Sequence, residues 1–94
     1  MKHESLRIAF VELKNVLSGT NGSNWLRWVN DCIGKIDSGA IDRRSVRSVF
    51  GGMGSFNDLV LTYKDSNGGI VMDQERNIRV DELKNIIWKY SENI

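Results

Sequence analysis

Apolar residues recur every three to four positions along this chain, except in one interval, and that interruption constrains the fold most. Leu6, Phe10, Leu13 and Leu17, flanked by Ile8, Ala9 and Val16, form the stripe of a helix with one buried face, expected over about 4–18. Trp25, Trp28, Val29, Cys32, Ile33 and Ile36 repeat the pattern before Asp37-Ser38-Gly39. Val80, Leu83, Ile87, Tyr90 and Ile94 carry it again, predicting a last helix from about 74 to 92. Between these stretches, after Ser55, the period changes.

The ends of the helices carry their own chemistry. Gly19 supplies a left-handed stop, and Thr20-Asn21-Gly22 a loop. Ser23 and Asp42 are candidate N-caps for a second helix and a short third one, since their side-chain oxygens can take up orphan backbone N–H groups. Gly34 weakens the second helix or permits close packing. In the third helix Val46, Val49 and Phe50 are expected inward and Arg43, Arg44 and Arg47 outward, with Gly51-Gly52-Met53-Gly54 as the stop. Asp73 is the candidate N-cap of the last helix; Gln74 and Glu75 suit its positive end and Lys89 its negative end.

Within the interruption, residues 56–63 (Phe-Asn-Asp-Leu-Val-Leu-Thr-Tyr) favour a strand, with Leu59, Leu61 and Tyr63 alternating against Asp58, Val60 and Thr62. A helix through 56–64 is the competing reading. Lys64-Asp65-Ser66-Asn67-Gly68-Gly69 is hairpin-turn chemistry, and Ile70-Val71-Met72 returns as a short strand. A two-stranded ribbon is marginal alone in water, so it is expected to pack on the helices. The fold class is therefore mostly α (α+β): about four helices with a short hairpin at about 56–72. With 94 residues, no proline and no low-complexity tract, residues 1–94 read as a single small domain.

Few residues can carry chemistry. His3, the sole histidine, lies near a terminus, and Cys32, the sole cysteine, falls on a buried stripe; neither suits a nucleophile–base pair. The Asp65–Gly69 stretch misses the calcium-loop spacing, because Arg76 stands where the bidentate glutamate belongs. The 51–55 glycine loop follows a helix and precedes a strand, the reverse of the polarity a phosphate cradle requires. Catalysis, cofactors and metals are accordingly not expected. The net charge of +1 offers no field for nucleic acid, and Arg43, Arg44 and Arg47 read as a solvated face. No apolar run reaches the ~18–20 residues of a membrane span, and the start of the chain lacks a signal-peptide stretch, so a cytoplasmic location is expected. Charge is nonetheless uneven. Residues 51–75 set Lys64 against Asp58, Asp65, Asp73 and Glu75, a net of −3. Such an edge suits a basic partner, or serves only to blunt a strand edge against aggregation.

The block Val49-Phe50-Gly51-Gly52-Met53-Gly54-Ser55-Phe56-Asn57-Asp58-Leu59-Val60-Leu61 resembles one found in small bacterial proteins similar to immunity proteins of polymorphic or contact-dependent toxin systems. The resemblance implies a stoichiometric inhibitor that binds a cognate toxin domain, a nuclease by expectation, in the cytoplasm. Asp58, Asp65, Asp73 and Glu75 would stand in for substrate phosphates, with Tyr63 and one of the tryptophans as candidate aromatic anchors. The alternative is a small non-enzymatic adaptor or regulatory protein, for which Trp25, Trp28 or the last helix offers a homodimer face.

Overall fold

The computed structural model describes residues 2–51 and 54–94. Helix α1 spans Glu4–Leu17, α2 Leu26–Ser38, α3 Arg43–Arg47 and α4 Gln74–Ser91; strands β1 (Thr62–Lys64) and β2 (Ile70–Met72) form one antiparallel hairpin. The protein is thus mostly α with a small β-hairpin. No described helix is long and apolar enough to cross a membrane.

Helix α1 is the centre of the packing and touches both α2 and α4. Its stripe of Leu6, Ala9, Phe10, Leu13 and Leu17 meets Val29, Cys32 and Ile36 of α2 and Val80, Leu83 and Ile87 of α4. Aromatic rings extend this core: Trp28 packs edge-to-face on Phe10 and Phe50 and tilted on Phe56, and Trp25 edge-to-face on Phe56. Trp28 also donates its indole N–H to the Ser45 carbonyl, 3.0 Å away. Both tryptophans proposed for a dimer face thus pack on this cluster while staying partly exposed along an open groove. Across the surface of the α1–α4 pair, Arg79 binds Glu12 and Glu82, while Arg7 joins α1 to Asp37 at the end of α2.

Several local expectations need correction. Ser23 does not cap α2; residues Ser23–Trp25 form a 3₁₀ turn that leads into it, with no side-chain cap. Asp42 does cap α3, accepting from the Ser45 N–H at 2.7 Å, but that helix ends at Arg47, before Val49 and Phe50. The expected glycine stop at 51–54 includes residues 52 and 53, which lie outside the described residues. The strand expected over 56–63 is not continuous. Phe56–Asp58 is a 3₁₀ turn that buries Phe56 in the aromatic cluster, and pairing starts only at Thr62. Burial of that ring outweighs local β-propensity, which depends on context. Nor does a helix run through 56–64.

The arginines of α3 are not a uniformly solvated face either. Arg43 donates to the carbonyls of Ser91 (3.4 Å) and Glu92 (2.9 Å). Arg47 donates to the Ser91 hydroxyl (2.7 Å) and the Trp88 carbonyl (3.3 Å), with its guanidinium 4.0 Å from the Trp88 ring centroid. Two cations therefore close the carbonyl end of α4, where the helix dipole is negative. Arg44 remains exposed.

Candidate functional site

The hairpin is attached to the helical body at its root and exposed beyond it. Leu61 is buried and Leu59 half-buried against Leu17 and Gly22, where a Cβ added to Gly22 would meet Leu61, Leu59 and Leu17 at 2.9–3.1 Å. The ribbon thus packs on the helices there as expected, whereas residues 63–70 are all exposed. Two asparagines from the helical part act as surrogate strands. Asn77 of α4 accepts from the Leu61 N–H at 2.7 Å and donates to the Leu61 carbonyl at 3.0 Å. Asn21, in the α1–α2 loop, accepts from the Thr62 N–H (3.0 Å) and donates to the Val60 carbonyl (2.9 Å). Polar backbone that would otherwise lose its partners is satisfied without a third strand.

The acids expected to contact a partner are largely committed to building this element. Asp65 accepts from the N–H groups of Asn67 (2.9 Å) and Gly69 (2.8 Å), which folds the turn, and Gly68 takes φ +79°. Asp73 caps α4 by accepting from the Arg76 N–H at 3.2 Å, and it pairs with the Arg76 guanidinium at 2.7 Å. Those contacts hold its carboxyl below the usual carboxylate range, chiefly through the hydrogen bond from the Arg76 side chain. Asp58 accepts from the Gly54 N–H at 2.7 Å within its own loop. Glu75 stands exposed in the first turn of α4, and Tyr63 is 51% exposed on β1. Tyr63, Asp65 and Asp73 belong to the hairpin and its exit, Glu75 follows directly, and Asp58 lies before the root.

The apolar residues of β2 were not singled out as site residues. Ile70 is 76% exposed and Met72 56%, and Val60 is also exposed. The register places Tyr63 opposite Val71 on one face, and Thr62 and Lys64 opposite Met72 and Ile70 on the other. Apolar groups therefore project from both faces of the hairpin. The signal was present in Ile70-Val71-Met72, three apolar residues with no polar alternation, which is not the pattern of a strand with one solvated face.

A second feature was also missed: an open groove of about 680 Å³ lined by Phe50, Gly51, Asn57, Asp81, Lys84, Asn85 and Trp88. Lys84 is buried beneath it, donating to the Asn57 carbonyl at 3.4 Å with its ammonium 5.1 Å from the Phe56 ring. Its stem covers apolar surface while its head stays close to Asp81, 3.7 Å away. Elsewhere Cys32 is buried against the Ser45 carbonyl, and desolvation pushes its thiol up to about 12, so little nucleophilic thiolate forms. His3 sits half-buried at the start of α1, with φ +64°.

These observations define a class: a small, mainly helical domain that carries an exposed, two-faced apolar hairpin on an asparagine-clamped root. Residues 20–68 match the family described as a domain of unknown function, DUF6966, and the match takes in more than half of the chain. The chain belongs to this family. The matched span runs from the loop before α2 through β1 and most of the hairpin turn, including Asn21, Asp58, Tyr63 and Asp65. Comparison with curated proteins and with solved structures gave no match.

Proposed function

We propose that this protein is a protein-binding module without catalysis of its own, and that it captures and neutralises a bacterial toxin domain in the cytoplasm. The observation that carries the binding role is the hairpin: Tyr63, Ile70 and Met72 lie exposed on a projecting element whose root is buried at Leu61 and bonded to Asn77. Large apolar side chains clustered on a monomer surface mark contact sites more often than chance. The toxin as partner comes from the resemblance of the 49–61 block to immunity-like proteins. Contact would centre on Tyr63 and Met72, with Glu75 at the rim steering a basic partner. Asp65 and Asp73 contribute charge from carboxylates already bonded within the chain, so they act at range rather than as detachable phosphate mimics.

The test is a search of the flanking genes for a toxin domain and its co-expression with this chain, the absence of any such gene counting against the toxin. Protection of the cell and one-to-one co-purification are expected. Tyr63→Ser combined with Met72→Ser should abolish both while leaving the helical circular dichroism unchanged. Failure to protect or co-purify would refute the toxin, and full retention of binding by the double variant would refute the hairpin as the contact.

A further inference from the structure

The two edges of the hairpin are treated differently. The Asp73 N–H bonds the Leu61 carbonyl and the Asp65 N–H bonds the Gly69 carbonyl, both at 2.9 Å. Alternation along an antiparallel ladder then places the bonded pairs at 61–73, 63–71 and 65–69, and turns the backbone groups of Thr62, Lys64, Ile70 and Met72 outward. On the β1 edge, Asn21 takes the Thr62 N–H and Lys64 supplies a charge. Natural sheets blunt exposed edges with just such devices. On the β2 edge, among the described residues, no side chain bonds Ile70 or Met72, and the strand Ile70-Val71-Met72 carries neither charge nor proline.

The geometry points to a second copy of this chain as the occupant of that edge. The strand is self-complementary about Val71. Laid antiparallel on its own copy, Ile70 falls opposite the other copy's Met72, Val71 opposite Val71, and Gly69 opposite Asp73, so within the strand no charge meets a like charge. The nearest approach of like charges is between that Asp73 and Asp65, whose carboxylate lies over Gly69 but is bonded to the Gly69 N–H. The outward N–H and C=O groups of Ile70 and Met72 make four backbone hydrogen bonds across the two-fold axis, as an isologous interface requires. The result is a four-stranded sheet in the order β1-β2-β2-β1, which relieves the marginal stability of a two-stranded ribbon. Ile70 and Met72 of both copies cluster on one face, and Val71 and Tyr63 on the other. Because pairing uses the edge, both faces stay open, and the inference does not depend on the toxin reading. Three-residue strands bury little area, so the dimer is weak, with Kd between about 10 µM and 1 mM.

Sedimentation of the purified chain alone across that range tests this. Wild type should pass from monomer to dimer as concentration rises. Ile70→Lys/Met72→Lys and Ile70→Glu/Met72→Glu each place like charges across the axis and should weaken self-association by at least about tenfold. Mixing the two double variants should restore dimerisation, which separates repulsion from misfolding. A half-labelled wild-type sample should also show contacts between Ile70 of one copy and Met72 of the other. A wild type that stays monomeric throughout, double variants that dimerise like wild type, or a mixture that stays monomeric would each overturn the proposal.

Discussion

Replacing Asn77 by alanine isolates the clamp that sets the hairpin on the helical body. The substitution removes two hydrogen bonds at once, the 2.7 Å bond from the Leu61 N–H and the 3.0 Å bond to the Leu61 carbonyl. The two losses are unequal. The Leu61 carbonyl keeps the Asp73 N–H as a partner, whereas no other acceptor serves the Leu61 N–H among the described residues. Because Leu61 is buried, that N–H bears a desolvation cost of ~1–3 kcal/mol, against a net of about 1 kcal/mol for an ordinary bond whose partner regains water. A loss of about 2 kcal/mol is expected for Asn77→Ala. The same truncation at exposed Asn21 should cost less than about 1 kcal/mol, because water reaches both Thr62 and Val60. Urea unfolding provides the measurement, with the midpoint lowered and the slope unchanged. For a domain of this size the loss of about 2 kcal/mol at Asn77 corresponds to roughly 8–15 °C in Tm. Amide exchange should show Leu61 and Thr62 losing protection in the Asn77 variant. Equal costs at the two positions, or a loss below about 0.5 kcal/mol at Asn77, would refute the reasoning that burial of the Leu61 N–H sets the magnitude.

Arg47→Lys should destabilise almost as much as Arg47→Ala, by about 1–2 kcal/mol in urea melts, because an ammonium cannot stack on Trp88 while donating to both Ser91 and the Trp88 carbonyl. Full rescue by lysine would show that charge alone matters there. Cys32 should react with a thiol reagent only as fast as the native state opens, and addition of denaturant should release the reaction; rapid labelling of the folded protein would contradict its burial. Acid should weaken the fold progressively. Hydrogen bonds from Arg79, Arg7, Ser45 and Arg76 hold Glu12, Asp37, Asp42 and Asp73 below their ordinary carboxylate values. Their contribution is complete above the unfolded-state values and is lost as pH falls through the lower folded ones, so urea midpoints should be flat near pH 6 and decline below about pH 4. Midpoints that rise on acidification would reverse the sign assigned to these pairs.

Period alone determined the three long helices, because a 3.6-residue stripe can be buried only by a helix packed on another apolar surface. It placed α1 and α4 within a residue of their observed ends, and local chemistry located the caps at Asp42 and Asp73 and the turn at Asp65. These are interactions over a few residues, so they are written where they act. The fate of Phe56 and of the arginines was decided elsewhere in the chain. Phe56 leaves the strand because Trp25, Trp28 and Phe50 converge on one place, and Arg43 and Arg47 bond the carbonyl end of α4 because it lies beside α3. The site divides in the same way. Its turn and apolar strand can be read from composition, but the clamping of Leu61 by an asparagine sixteen residues away, the closure of one edge by Asn21 and the opening of the other follow only once helices have been packed. Sequence neighbours set conformation through short-range bonds, whereas exposure depends on what distant segments happen to cover, and that is a property of the assembled fold.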